Sequence, residues 1–202
     1  MRVIKSIVHF IVLLIAVVVV HIFFPQKVIG RKYYKNKSGC IIYSNHISAW
    51  DPVVLAVALA PRKVYFMAKE ELFKSKLLAW IMDALGAFPV SRGNADMTAI
   101  RTSINHIEKN HVIVVFPEGT RNEKKDGSLT KFHNGISIIA IKTRCNLYPV
   151  YIDCKNGYKL FKRYRIIIGK DVNLQDFYLE GIKKDNLNRS IDELKNKIME
   201  LM

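Results

Sequence analysis

A chain of 202 residues, half of them hydrophobic, is long enough for one domain with a full core and too short for two ordinary domains once an apolar N-terminus is set aside. Its formal net charge of +15, from 32 Lys and Arg against 17 Asp and Glu, points to anionic partners: nucleic acid, an anionic membrane surface, or an acidic substrate or carrier protein. Three cysteines, Cys40, Cys145 and Cys154, are odd in number and lack CxxC or metal-ligand spacing, which argues against a disulfide framework or a zinc site and fits a reducing compartment.

In chain order, residues 7–24 come first, an apolar run interrupted only by His9 and His21. As a helix it is about 27 Å long, close to the thickness of a bilayer's hydrocarbon core. It exceeds a signal peptide's apolar region, and Phe23-Phe24-Pro25-Gln26-Lys27 offers no small-x-small cleavage site, so a retained anchor is expected. Arg2 and Lys5 precede it, whereas Lys27, Arg31, Lys32, Lys35 and Lys37 follow. For a spanning helix that asymmetry puts the remaining domain on the cytoplasmic face. A helix lying in one leaflet fits the same residues, with the basic run held at anionic headgroups. Residues 1–37 therefore read as a membrane anchor and basic juxtamembrane segment, and 38–202 as the catalytic domain.

Beyond the anchor, short β-rich runs alternate with amphipathic ones. Strands are expected at 40–44, 63–68, 87–90, 111–116, 147–152 and 165–169, and helices at 52–60, 74–85, 95–109, 133–144 and 187–201. Strands joined by helix-length connections predict an α/β fold with a mainly parallel central sheet flanked by helices. Residues 121–131 are the longest polar interruption and a candidate mobile flap. Residues 155–170 carry six cations and no acid, interleaved with Tyr158, Phe161 and Tyr164. Alone, that pattern reads as a nucleic-acid patch or a solvated hairpin; beside an apolar anchor it reads as a surface for headgroups or for an acidic carrier protein. Leu194, Ile198 and Leu201 mark the last helix as packing.

The residues fit for chemistry gather where strands end. Asn45-His46-Ile47-Ser48-Ala49-Trp50-Asp51 follows the first strand, and the carboxyl ends of parallel strands are where open α/β sheets bind ligands. Asp51 before Pro52 also reads as a helix cap, and His46 as a packed histidine. In one turn, however, a carboxylate can orient an imidazole and stabilise the imidazolium that forms when it takes a proton. None of the six histidines is spaced as a second metal ligand, which argues against a metal hydrolase. Phe116-Pro117-Glu118-Gly119-Thr120-Arg121 ends a second apolar strand: Gly119 permits close backbone approach, Thr120 adds a hydroxyl, and Arg121 has the forked donors that suit a phosphate. Read without ligand, it is an ordinary turn with a solvated arginine. Lys69 and Arg92 end two more strands at the same edge, as ligand contacts or surface charge.

These blocks resemble the lysophosphatidate (1-acyl-sn-glycerol-3-phosphate) acyltransferase family of glycerolipid acyltransferases. The stretch 45–51 looks like its NHxSxxD motif, 86–92 resembles its second motif, 116–121 matches FPEGTR, and Tyr148-Pro149-Val150 resembles the fourth. The resemblance covers roughly residues 38–152. It implies a glycerolipid acyltransferase-like fold that carries a fatty acyl group from acyl-CoA or acyl carrier protein to the sn-2 hydroxyl of a lysophospholipid acceptor, 1-acylglycerol 3-phosphate, giving phosphatidate for phospholipid biosynthesis. His46 would be the general base and Asp51 its orienter. Glu118, Gly119, Thr120 and Arg121 would bind the glycerol phosphate, with Arg92 and Lys69 as further contacts, and the His46 imidazole and Arg121 guanidinium would face one cleft. No metal, cofactor or nucleic acid is implied, and membrane lipids at the cell membrane are. The same motifs suit other acceptors, such as a lyso-ornithine lipid, another lysophospholipid or glycerol 3-phosphate; a non-catalytic basic membrane-binding module is the remoter alternative.

Overall fold

The computed structural model describes residues 2–34, 38–90, 97–124 and 126–202. They form a seven-stranded sheet of order β1-β7-β6-β2-β5-β3-β4. The strands are β1 (Gln26–Ile29), β2 (Cys40–Ser44), β3 (Val64–Lys69), β4 (Ala87–Val90), β5 (Val112–Val115), β6 (Asn146–Asp153) and β7 (Tyr164–Ile168). Every pairing is parallel except that of β6 with β7. The helices are α1 (Arg2–Phe23), α2 (Asp51–Leu59), α3 (Lys76–Ala84), α4 (Met97–Glu108), α5 (Gly135–Thr143), α6 (Gln175–Tyr178) and α7 (Lys184–Met199). The expected α/β fold with a mainly parallel sheet is what the chain adopts.

Strand and helix patterns explain the layers. All four residues of β5 and all five of β2 are buried, as expected for central parallel strands covered on both faces. Alternate residues then sort to two cores. Cys40, Ile42, Val112, Val114, Val150 and Ile152 meet α2 and the end of α1 on one face, whereas Ile41, Tyr43, Ile113, Val115, Leu147 and Tyr151 meet α4, α5 and α7 on the other. Helix α2 is apolar around much of its girth because it lies between the sheet and α1: Val54, Leu55, Val57, Ala58 and Leu59 are all buried.

Two expectations change. Residues 26–29, read as juxtamembrane, form β1 and pair in parallel with β7 from Gln26 opposite Tyr164 to Ile29 opposite Ile167. The loop 121–131, read as a mobile flap, is pinned among its described residues. The Asn122 amide donates to the Ser128 carbonyl at 2.7 Å, and both the amide and the hydroxyl of Thr130 donate to Glu118 Oε2. At Gly127, with φ 89, a Cβ would lie 2.9 Å from the Tyr151 hydroxyl, so only glycine lets the loop press this close.

Candidate active site

The register of β2 with β5 and β6 aligns their carboxyl ends: Tyr43 lies opposite both Val115 and Pro149. Asn45 extends β2 with its side chain. Its Oδ1 accepts from the Ile152 amide at 2.8 Å and its Nδ2 donates to the Ile152 carbonyl at 3.1 Å, reproducing a strand pair where the backbone turns away. His46 follows, gripped on both sides of its backbone. Its N–H donates to Glu118 Oε1 at 2.9 Å, and its carbonyl accepts from the Asn122 amide at 2.7 Å.

The His46 side chain meets Asp51. Nδ1–H donates to Asp51 Oδ2 at 2.8 Å, which fixes the tautomer and leaves Nε2 with a lone pair in the neutral ring. The same oxygen accepts from the Ile47 and Ser48 amides at 2.7 and 2.8 Å. Asp51 is the first residue of α2, and its carboxylate turns back on these preceding amides; the residue before the helix, Trp50, makes no side-chain cap bond. The capping reading of Asp51 therefore gives way to the orienting one. Its remaining oxygen, Oδ1, accepts from the Tyr158 hydroxyl at 3.0 Å. Burial, and then the Asp51 charge, raise the Tyr158 pKa above its ordinary value, so this hydroxyl stays a donor. The imidazole stacks on Phe116 with ring centroids 4.1 Å apart.

His46 opens onto a cleft of about 760 Å³, inside the range usual for small-molecule sites. Met67, Val90, Ile100, Val114, Phe132 and Ile139 give it an apolar lining, while Lys69, Thr120, Lys131, His133 and Asn134 join His46 as its polar members. Gly119 has φ 69, and a Cβ there would stand 3.0 Å from the His133 ring.

The expected residues are not all placed alike. His46, Lys69, Gly119 and Thr120 line one cleft. Lys69 also pairs with Glu71 at 3.1 Å. Glu118, expected at the glycerol phosphate, is 2% exposed, and both its oxygens are taken by His46 and Thr130; it braces the two motifs instead of facing the opening. Arg121 is exposed beside Thr120 and is not among the residues that line the cleft. Arg92 lies outside the described residues. Sequence reasoning missed Tyr158, Thr130, Lys131 and His133 as site residues. Tyr158 lay within the basic-aromatic run 155–170, but no spacing set it apart from Phe161 or Tyr164.

A buried carboxylate that holds a histidine at the carboxyl edge of a parallel sheet, above an apolar cleft, is equipped to deprotonate a hydroxyl beside a chain-like substrate. The chain belongs to the acyltransferase family: the family model described as Acyltransferase matches residues 26–153, from the start of β1 to the end of β6. Over 184 residues it is 30% identical to the 1-acyl-sn-glycerol-3-phosphate acyltransferase of Bacillus subtilis, covering 87% of this chain and 90% of that one. Identity to the enzyme of the same description from Streptococcus pneumoniae is 31% over 162 residues, 78% of this chain and 57% of that one. The lyso-ornithine lipid O-acyltransferase of Pseudomonas aeruginosa is 29% identical over 110 residues, 54% of this chain and 41% of that one. Among solved structures, the 1-acyl-sn-glycerophosphate (LPA) acyltransferase PlsC of Thermotoga maritima superposes with a TM-score of 0.64 at 25% identity, over 87% of this chain and 71% of that one.

Proposed function

We propose that this acyltransferase moves a fatty acyl group from acyl-CoA or acyl carrier protein to the sn-2 hydroxyl of 1-acylglycerol 3-phosphate, forming phosphatidate for phospholipid synthesis. The observation that carries the reading is the free Nε2 of His46, whose Nδ1 is held by a buried Asp51, opening onto an apolar cleft with lysines among its lining. His46 takes the proton of the acceptor hydroxyl as its oxygen attacks the thioester carbonyl. Collapse of the tetrahedral intermediate expels the thiolate, which leaves with the proton from the imidazolium. Asp51 stabilises that imidazolium between the two steps. Both bond changes occur at one carbonyl carbon, so the scheme routes no step through a metal or redox cofactor.

The acceptor's phosphate meets Lys69, Lys131 and the Thr120 hydroxyl, with Arg121 folding over it from the rim. Glu118 contributes by fixing the His46 backbone. Helix α1 holds the domain to the cytoplasmic face of the cell membrane, where acyl-CoA and acyl carrier protein reside. Its outward residues, including Phe10, Ile15, Val18 and Ile22, are half or more exposed, while Val20 and the adjoining Phe24 are buried against the domain, so it lies along the protein with an apolar side free for one leaflet.

The test is purified protein with lysophosphatidate and each acyl donor in turn, following phosphatidate formation. His46→Ala should lose turnover by about three orders of magnitude or more; normal turnover in that variant would remove the general-base role. A parallel acceptor panel with lyso-ornithine lipid and glycerol 3-phosphate addresses the second reading, which the likeness to the Pseudomonas enzyme motivates.

A further inference from the structure

The connection from β6 to β7 carries a feature the transfer reaction does not use. Leu160 and Phe161, its two largest apolar side chains, are 59% and 67% exposed, although the segment is tightly built. Phe161 holds a φ of 62, its amide donates to the Phe23 carbonyl at 2.7 Å, and its ring stands 5.7 Å from that of Phe23. The Tyr164 hydroxyl accepts from the Lys159 amide and donates to the Lys159 carbonyl at 2.7 Å, closing the loop behind the tip. Two adjacent large apolar side chains held out by an ordered loop, next to the exposed apolar side of α1, mark a surface suited to an apolar partner.

Charge says what receives them. Lys159, Lys162 and Arg163 flank the tip, all exposed, and none has an ion-pair partner among the described residues. Through Phe23, 37% exposed, the tip continues the outward face of α1, where Ile22 and Val18 are 52% and 50% exposed. We propose that residues 158–163 are a second membrane contact: Leu160 and Phe161 enter the acyl region of an anionic bilayer beside α1, while Lys159, Lys162 and Arg163 meet its phosphate headgroups.

The contact has a directional consequence. Apart from Ser6 and His21, the exposed residues of α1 from Val3 to Phe23 are apolar, so the helix alone does not decide which edge of the sheet approaches the headgroups. The loop sits only at the edge that carries His46, and begins at Tyr158, the residue that holds Asp51. Seating it brings the cleft mouth toward the plane where a lysolipid's hydroxyl lies.

This inference rests on the attachment proposed for α1, and flotation of the full-length protein with phosphatidylcholine vesicles and with phosphatidylglycerol-rich vesicles separates the two. Leu160→Ser/Phe161→Ser should float at least about tenfold more weakly with both vesicles, because two buried apolar side chains are lost. Lys159→Gln/Lys162→Gln should lose about tenfold with the anionic vesicles alone. Thermal midpoints and turnover of monomeric lysophosphatidate should stay as in the parent. A parent that floats with neither vesicle overturns the attachment itself; a parent that floats, with loop variants that float equally well, overturns the loop contact alone. Lysine variants that lose affinity for acyl carrier protein while floating normally would assign the surface to an acidic protein, also overturning the proposal. Should the serine variant not fold, Phe161→Trp gives a second readout, namely quenching by brominated lipids beyond that of the parent, and no added quenching refutes insertion.

Discussion

Asp51 has no solvent exposure, and a carboxylate so placed is costly unless its oxygens are satisfied. Four donors meet that need: His46 Nδ1, the Ile47 and Ser48 amides, and the Tyr158 hydroxyl. Three lie within five residues and come with the motif; the fourth arrives from 107 residues away. Tyr158 holds the oxygen that does not face His46, and so keeps the carboxylate turned so that its other oxygen meets the imidazole. Tyr158→Phe keeps the ring's packing on Phe24 and Tyr164 and removes the donor alone. Losing a hydrogen bond to a charged group costs about 1.5 to 3 kcal/mol, so kcat should fall roughly tenfold or more with KM nearly unchanged. A purely structural tyrosine would lower the thermal midpoint and leave kcat in place. His46 and Asp51 were legible in the sequence because the turn that joins them is local. Tyr158 was not, and the occupied oxygens of Glu118 were not, because their partners are set by how β6 and the 121–131 loop fold back.

The elements most plainly readable were those with one dominant pattern: β5 as a buried β-branched run, and α4 and α7 as amphipathic helices. Strand β1 was hidden because four residues with two polar members, inside a basic stretch, carry no alternation long enough to distinguish them from a linker; parallel pairing with β7 decides the matter. The junction of α4 and β5 carries a pH dependence of its own. His106 Nδ1 and His111 Nδ1 are 2.9 Å apart, which requires one ring to donate and the other to accept, so the contact fails when both are protonated. Burial, the neighbouring His111 and Lys109 lower the His106 pKa from 6.5 to about 4, with Lys63 adding to the effect and Asp83 opposing it; burial lowers that of His111 as well. A depressed pKa means that the unfolded chain binds the proton more readily. The pair's contribution to stability is therefore complete above about pH 6.5 and lost as pH falls toward about 4. His106→Phe keeps the rings beside Tyr65 and Phe88 and removes the titration. Its thermal midpoint, measured across that window, should fall less steeply with acid than the parent's; parallel slopes would assign the acid sensitivity to other groups.

At the scale of the molecule, an apolar N-terminal helix long enough to cross a bilayer packs one side of its second half against the domain. Composition alone made it an anchor, and composition could not show that one side is needed at home. Helix α2 is apolar on the side away from the sheet, and α1 covers it through Ala16, Val17, Val20 and Phe24. At its other end Lys5 pairs with Asp83 of α3. A helix that crossed the bilayer free of the domain would forfeit these contacts and leave the outer side of α2 in water, at about 25 cal/mol for each Å² uncovered. Two neighbouring valines separate the alternatives. Val20 is fully buried and Val18 is 50% exposed on the outward side. Val20→Asp places an unpaired carboxylate against the core and should cost about 3 kcal/mol or more, lowering the thermal midpoint in detergent-free buffer. Val18→Asp should leave that midpoint unchanged and, on the proposed attachment, reduce flotation with vesicles, because it charges only the outward side. A helix surrounded by lipid would make the two substitutions equivalent, both weakening membrane association and neither lowering the stability of the domain.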